Sequence, residues 1–277
     1  MTQRLSTTTH AMRLVVLATA VSLPSFALAQ TGLPAYAPSK ERYRLESNVK
    51  TAQTMMGQTQ EASVSSSQVS TMAIVKGGTA LSLTMTIDSA SVTASVTAAG
   101  PAPAPDMSAI IGSVFAGSMA ADGQVSGSTV TDKAGKPMEG PLASGIRSFL
   151  PRLKVGATTG AAWSDTNTTK GLVNGANVNT MRIVTYTLAG DTTVAGVRGW
   201  KITATNTGTV EGSGSQGGAE FTMKGTIGGG GTYVISTAGV LLGAGLIDDV
   251  SMTVDVPMAN MQIPITTSTS SKITRMP

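Results

Sequence analysis

The side chains that most often perform catalysis are nearly missing from this sequence of 277 residues. It contains no cysteine, and its single histidine is His10. A thiol nucleophile, a thiolate zinc site and a disulfide framework are therefore excluded. A Ser-His-Asp triad or a histidine-ligated metal would have to use His10.

One glycine-rich motif resembles a nucleotide-binding pattern. Residues 212–217 match G-x-G-x-x-G, which binds pyrophosphate only when a strand precedes it and a helix begins after it. Residues 219–223 alternate as a strand does. The sequence therefore favours a chance match in a glycine-rich stretch.

A second motif places oxygen ligands as a calcium loop would. Residues 165–171 carry them at positions one, three and five. Lys170 stands where such a loop needs glycine, and Ala176 stands where it needs a bidentate glutamate. A solvated turn after Trp163 is the favoured interpretation.

The local cluster of acids comprises Asp248, Asp249 and Asp255. Adjacent strand residues point to opposite faces, so Asp248 and Asp249 do not form a catalytic pair. Asp249 and Asp255 would be ~20 Å apart along a straight strand. Pairs of carboxylates from distant strands stay open. We therefore predict a protein that is not an enzyme and needs no cofactor or metal.

The first 29 residues are typical of a secretory signal peptide. Arg13 precedes an apolar run at residues 14–21, and Ala27-Leu28-Ala29 supplies the small residues that a signal peptidase recognises. Cleavage before Gln30 would also remove His10. The apolar run is short for a membrane span, and no cysteine can carry a lipid anchor. We expect an exported protein, periplasmic or extracellular and not lipid-anchored.

Composition disfavours two further classes. Nucleic-acid binding needs a dense basic stripe and aromatic side chains for stacking, and a membrane barrel needs two aromatic girdles. Aromatic residues make up only 4% of the chain, as 4 Phe, 4 Tyr and 2 Trp. We therefore expect no nucleic-acid partner and no integral membrane protein.

Apolar and polar residues alternate through most of the chain after residue 39. In residues 80–88, Leu83, Met85 and Ile87 face one side and hydroxyl residues face the other, which predicts a half-buried antiparallel strand. Comparable segments are 43–49, 64–75, 92–96, 114–119, 124–130, 178–188, 199–206, 219–227, 232–236, 245–256 and 261–273. The predicted fold is mainly β, a large twisted antiparallel sheet or half-barrel with one or two short helices packed against it. An open sheet and a closed barrel both remain compatible with the pattern.

The best helix candidate runs from Pro141 to Leu150. Proline suits the first helical position and Pro151 ends the helix. A shorter helix after Asp106 is the weaker candidate. The apolar residues of the first helix fall at i, i+4, i+7 and i+8 and are Leu142, Ile146, Phe149 and Leu150.

The glycine-rich stretch at 208–231 is predicted to form bent strands rather than a linker, because its apolar residues keep alternating. Turns are predicted at 174–175, 190–191 and 238–239. The domain organisation is a signal peptide at 1–29, an extended leader at 30–39 and a single β-rich domain at 40–277.

Two segments carry a resemblance to known proteins. Residues 149–156, from Phe149 to Gly156, and the following Trp163-Ser164-Asp165-Thr166 resemble an uncharacterised family of exported β-rich bacterial proteins, a domain of unknown function. The resemblance implies no known activity. At the level of the fold it implies a likeness to the half-barrels of periplasmic lipoprotein carriers.

Export, alternating strands and 15 methionines together favour a non-catalytic binding module for a lipid or other apolar small molecule. The alternative is a structural or adhesive envelope protein, because the strands are rich in Ser, Thr and Gly. Protein partners are not indicated. The predicted apolar lining comprises Leu83, Met85, Ile87, Leu142, Ile146, Phe149 and Met223.

Overall fold

The computed structural model describes residues 32–78, 80–97, 100–102, 107–138, 149–173, 175–216 and 218–277. Most of these residues lie in strands, so the predicted mainly β fold is confirmed. The strands in chain order are β1 (Ser39–Met55), β2 (Gln58–Gly77), β3 (Ala80–Val96), β4 (Gly100–Ala102), β5 (Val114–Met119), β6 (Val125–Thr131), β7 (Ala162–Val173), β8 (Ala176–Val194), β9 (Val197–Gln216), β10 (Ala219–Ser236), β11 (Leu241–Val256) and β12 (Met261–Met276).

All strands belong to one antiparallel sheet. Its order is β6-β5-β3-β2-β1-β12-β11-β10-β9-β8-β7, and β4 pairs with β3. Among the described residues β6 and β7 do not pair with each other, so the sheet is an open half-barrel rather than a closed barrel. The first and last long strands, β1 and β12, lie side by side at its centre.

Two faces of different chemistry follow from the strand register. Because side chains alternate along a strand, residues paired across neighbouring strands share a face. One row of the face that we call the apolar face is Ile263, Val254, Met223, Gly212 and Val178. The next row, on the face that we call the hydroxyl face, is Gln262, Asp255, Thr222, Ser213 and Asn177.

The main cluster of buried residues occupies one end of the strands. We call this end, where β1, β7, β9 and β11 begin and β2, β8, β10 and β12 end, the packed end. Burying an aliphatic or aromatic side chain there stabilises the fold by about 1.5–3 kcal/mol. Its most buried residues include Tyr43, Leu83, Phe115, Met119, Leu188, Ile202, Ile235 and Leu241.

Segments outside the long strands cover the apolar face at the packed end. Residues 32–38 and 149–161 run together there, because the amide of Leu33 donates to the carbonyl of Ala157 at 2.8 Å. Leu33 and Tyr36 are buried in the core, and the Tyr36 hydroxyl donates to the carbonyl of Pro151 at 2.9 Å. The residues that were expected to form an extended leader thus contribute to the core.

The remaining length of the strands forms what we call the open half. It ends at turns such as Met56–Gly57 and at a 3-10 turn, Pro257–Ala259. Along β12 in this half, side chains on the apolar face are half-buried and those on the hydroxyl face are exposed. The alternation that forms a core at the packed end therefore continues without one.

Neither of the predicted short helices is found within the ranges that the structure describes. Residues 141–148 of the first candidate lie outside the described residues, and its last two residues, Phe149 and Leu150, form a turn. Asp106 also lies outside them, and the residues after it form tight turns in which the amides of Ile110 and Ile111 donate to the carbonyl of Met107. The helical turn does not continue beyond Gly112, because this glycine takes a positive φ of 84°. In the part of the chain that the structure describes, no helix is long and apolar enough to cross a membrane.

Two predicted turns were wrong, because both segments lie in strands. The predicted solvated turn at 165–171 lies inside β7, where every residue pairs with β8. The predicted turn at 190–191 lies inside β8 as an irregularity between Leu188 and Gly190, because Gly190 absorbs the extra residue with a φ of 130°. The segments 80–88 and 92–96 are strands as predicted, and they join into β3. The segments 219–227 and 232–236 likewise join into β10.

Candidate functional site

Glycines on the apolar face are covered by large side chains from the adjacent strand. A Cβ atom on Gly214 would lie 2.8 Å from Cζ of Phe221, and one on Gly212 would lie 2.9 Å from Cγ of Met223. The small size of glycine leaves room for these neighbouring side chains. The described residues of the glycine-rich stretch lie mainly in β9 and β10, so its prediction as strands rather than a linker is confirmed.

A cavity of about 480 Å³ lies where the packed end meets the open half. Its walls come from the sheet, from residues 123–125 at the start of β6, and from residues 149–152 of the segment that covers the packed end. The apolar part of the lining includes Leu45, Val125, Phe149, Val184, Tyr233 and Leu246.

A larger cavity of about 1040 Å³ lies further along the same strands. On β11 its lining includes Val250, two residues beyond Asp248 of the smaller cavity, and on β12 it includes Thr267, two residues from Thr269. Two strand residues span about 7 Å, so the two cavities occupy successive stretches of the open sheet.

Three polar side chains meet on the apolar face at the boundary between the cavities. Nη1 of Arg182 donates to Oδ1 and Oδ2 of Asp248 at 3.3 and 3.2 Å. Nδ2 of Asn206 also donates to Oδ1 of Asp248. Asn206 and Asp248 lie in one register row, separated by Gly229, which lacks a side chain that would stand between them.

A second polar group forms the wall of the smaller cavity at its covered side. The guanidinium of Arg152 donates to Asp165 at 3.0 Å, to Asp122 at 3.1 Å and to Gln124 at 3.2 Å. Its hydrogen bond to Asp165 is the main cause that raises the pKa of Arg152. Arg152 is thus held as a cation between two carboxylates, and it fixes the covering segment against β7.

Aromatic rings line the core beside these polar groups. Trp163 stacks on Tyr186 with ring centroids 5.6 Å apart, and Tyr186 contacts Tyr233 at 6.4 Å. Nε1 of Trp163 donates to the carbonyl of Arg152 at 2.8 Å. Burial is the main cause that raises the pKa of both Tyr186 and Tyr233, so these hydroxyls stay protonated at neutral pH.

The predicted apolar lining divides between the core and the open face. Leu83, Met85 and Ile87 are at most 3% exposed, and they line neither cavity. Phe149 lines the smaller cavity and packs edge-on against Tyr43, with ring centroids 5.4 Å apart. Met223 is half-buried on the apolar face. Leu142 and Ile146 lie outside the described residues.

The near-motifs of the sequence have other roles in the structure. Residues 212–216 belong to β9, Gly217 lies outside the described residues, and a strand follows rather than a helix. Asp165 binds Arg152. As predicted, Asp248 and Asp249 face opposite sides, with Asp248 half-buried and Asp249 exposed.

Sequence reasoning missed the polar groups that line the smaller cavity. Arg152 and Arg182 were not singled out, and Asp248 was considered only as a member of an acidic cluster. One signal was present, because Arg182 and Asp248 occupy positions where alternation calls for apolar residues, between Thr180 and Val184 and between Leu246 and Val250. A charge in an apolar row needs a partner, yet the partner strand could not be read from the sequence.

Within the described ranges, no group of three or more His, Cys, Asp or Glu side chains is placed to hold a metal ion. The smaller cavity instead combines an apolar part of its lining with two groups of hydrogen-bonded polar side chains. No family model and no curated protein matches this sequence.

Proposed function

We propose that this chain is a non-catalytic module that binds a lipid or another apolar molecule. The observation that supports it is the apolar face of the open half, whose side chains along β12 stay half-buried and which adjoins two cavities. Concave, mainly apolar sites with a few polar groups are typical of small-molecule binding sites. Methionines such as Met223 and Met252 adapt to varied apolar shapes.

The proposal includes export through a cleaved signal peptide to the periplasm or the extracellular space. The amino-terminal sequence of residues 1–29 supports it. Expression of the full-length chain in a bacterial host, followed by amino-terminal sequencing of the exported protein, is expected to give a first residue of Gln30. Retention of an intact amino terminus in the cytoplasm would contradict export.

Binding is tested on the purified protein by solvent extraction with mass spectrometry and by uptake of the uncharged fluorophore N-phenyl-1-naphthylamine. We expect a co-purified apolar molecule or saturable uptake of the fluorophore. Val250→Lys places a charge in the row that lines the larger cavity and is expected to lower fluorophore affinity about tenfold or more, because burying an unpaired charge is costly.

The matched control is Thr253→Lys on the same strand. Thr253 is exposed on the hydroxyl face, so the added charge stays in water and uptake is expected to be unchanged. A wild-type protein that yields no extractable molecule and takes up no fluorophore would refute the binding function.

A structural or adhesive envelope protein is the second candidate, supported by one observation on the hydroxyl face. A groove of about 490 Å³ there is lined mainly by serine and threonine, including Ser65, Ser67, Ser91 and Thr93. Filaments in electron micrographs or detection on the cell surface would support this candidate. A periplasmic monomer would count against it.

A further inference from the structure

One buried polar atom beside the smaller cavity lacks a hydrogen-bond partner. Asn206 is only 8% exposed and lies in the cavity lining. Its Oδ1 atom is buried and accepts no hydrogen bond from any described residue. An unpaired buried acceptor costs about 1–3 kcal/mol, so a donor that enters beside Asn206 and reaches this atom would remove that cost.

The orientation of the Asn206 amide is fixed by chemistry. Its other terminal atom contacts Oδ1 of Asp248. An ionised carboxylate only accepts hydrogen bonds, so the atom that faces it must be Nδ2, which donates. The remaining terminal atom is then the oxygen, and a bound molecule must present a donor to it.

The surrounding charges disfavour an anion. Arg182 is paired with Asp248, and Arg152 is paired with both Asp122 and Asp165. The lining itself holds two guanidinium groups and two carboxylates, and Asp122 also pairs with Arg152, so neither guanidinium is left without a carboxylate partner. A carboxylate ligand would find no unpaired cation in the lining and would bring no donor for Asn206.

One part of the lining, next to Asn206, is apolar. On the same face as Asn206, Leu246 lies in the next row and Tyr233 in the row after it, and Val184 pairs directly with Asn206 across β8 and β9. All three line the cavity. A molecule that fills it would therefore combine an apolar body with one donating group at the Asn206 side.

We propose that this cavity selects a non-anionic amphiphile whose head group, a hydroxyl, an amide or an amine, donates a hydrogen bond to Oδ1 of Asn206. The inference rests on the proposed binding function and names its ligand class. Asp248 acts as a positioning residue, because it holds the Asn206 amide through Nδ2 and thereby leaves Oδ1 as the atom that needs a donor. Arg182 in turn holds Asp248.

The test is displacement of N-phenyl-1-naphthylamine from the purified protein by four compounds with the same dodecyl chain. They are dodecan-1-ol, dodecylammonium, dodecyl methyl ether and dodecanoate. We expect the alcohol or the ammonium to bind about tenfold more tightly than the ether, which accepts but does not donate. Which of these two donors binds more tightly tells whether the head group is neutral or cationic. Dodecanoate is expected to bind less tightly than the alcohol.

Asn206→Leu removes the acceptor at similar volume and is expected to abolish the preference for the alcohol over the ether. The control is Thr205→Leu, the adjacent residue, which is exposed on the opposite face and should leave the preference intact. The wild-type comparison of alcohol with ether stands by itself if Asn206→Leu does not fold.

Different results would contradict the head-group preference and the apolar binding function. Equal displacement by alcohol, ammonium and ether would mean that water satisfies Asn206, and it would overturn the head-group inference while leaving apolar binding in place. Tighter binding of dodecanoate than of the alcohol would overturn it as well. Absence of fluorophore uptake by the wild-type protein would overturn the binding function itself.

Discussion

The two halves of the sheet are built from the same strands and the same alternation, yet only one of them forms a core. On β10, Tyr233 and Ile235 are at most 6% exposed at the packed end, whereas Phe221 and Met223 are half-buried in the open half. All four side chains belong to the apolar face. The difference lies outside the strands, in the segments that cover one half.

Segments outside the strands complete the core of the packed end. Leu33, Tyr36, Phe149 and Leu153 come from segments without regular secondary structure, and all are buried with the strand residues. They remove the apolar face of the packed end from water, which supplies most of the driving force for folding. The open half keeps its apolar face accessible, and that is the basis of the proposed binding function.

The largest expected effect is a loss of folding stability at high pH, which arises in the packed end alone. All four tyrosines, Tyr36, Tyr43, Tyr186 and Tyr233, lie at the packed end, and burial is the main cause that raises each pKa above its usual 10. The folded state therefore keeps the phenols neutral. Their stabilisation is fully present below pH 10 and is lost as pH rises from 10 through the folded pKa values.

Above pH 10 the unfolded chain releases the phenol protons that the folded chain keeps. Each such tyrosine lowers the free energy of unfolding by about 1.4 kcal/mol per pH unit. We expect tyrosinate absorbance to appear in one cooperative step that coincides with loss of the circular dichroism signal of the sheet. N-acetyltyrosinamide in the same buffers serves as the control. Gradual ionisation near pH 10 with the sheet intact would show that the packed end is accessible to water.

A matched pair of isoleucines tests the same contrast by mutation. Ile235 is fully buried on β10, and Ile263 is half-buried on the apolar face of β12. Ile235→Ala is expected to lower the free energy of unfolding by about 2–5 kcal/mol, because it leaves a cavity in a filled core. Ile263→Ala should cost about 1 kcal/mol, since less apolar surface returns to water. Urea denaturation measures both, and equal losses would mean that the open half is covered as fully as the packed end.

The smallest expected effect concerns packing between strands within the open half. A Cβ atom on Gly225 would lie 2.7 Å from Cα of Met252 and would collide with the carbonyl of Ser251, whereas one on Gly228 would meet no atom within 4 Å. Gly225→Ala is expected to lower the free energy of unfolding, measured by thermal denaturation, by about 1–3 kcal/mol. Gly228→Ala should be neutral or stabilise by up to about 1 kcal/mol, because it restricts the unfolded chain. If both variants are neutral, the apolar face of the open half is loosely packed.

Much of the fold could be predicted from alternation, and most of the site could not. Leu81, Leu83, Met85 and Ile87 indicate a strand with one apolar face because the period of two is local information. Residues 165–171 lack this apolar pattern, so β7 was missed at an edge of the sheet where few apolar contacts are required. The Arg182–Asp248 pair joins residues 66 positions apart, and no local pattern contains the strand order that brings them together.

The sequence by itself determined the β architecture, the two faces of each strand and the lack of cysteine and histidine in residues 30–277, because these depend on residue type and spacing alone. Only the tertiary structure decided which half of the apolar face is covered and that Asn206 keeps an unpaired oxygen beside a cavity. Those outcomes depend on contacts between segments far apart in the chain, such as residues 32–38 with 149–161. Alternation sets the direction in which a side chain points, whereas the strand order and the covering segments decide what it meets there.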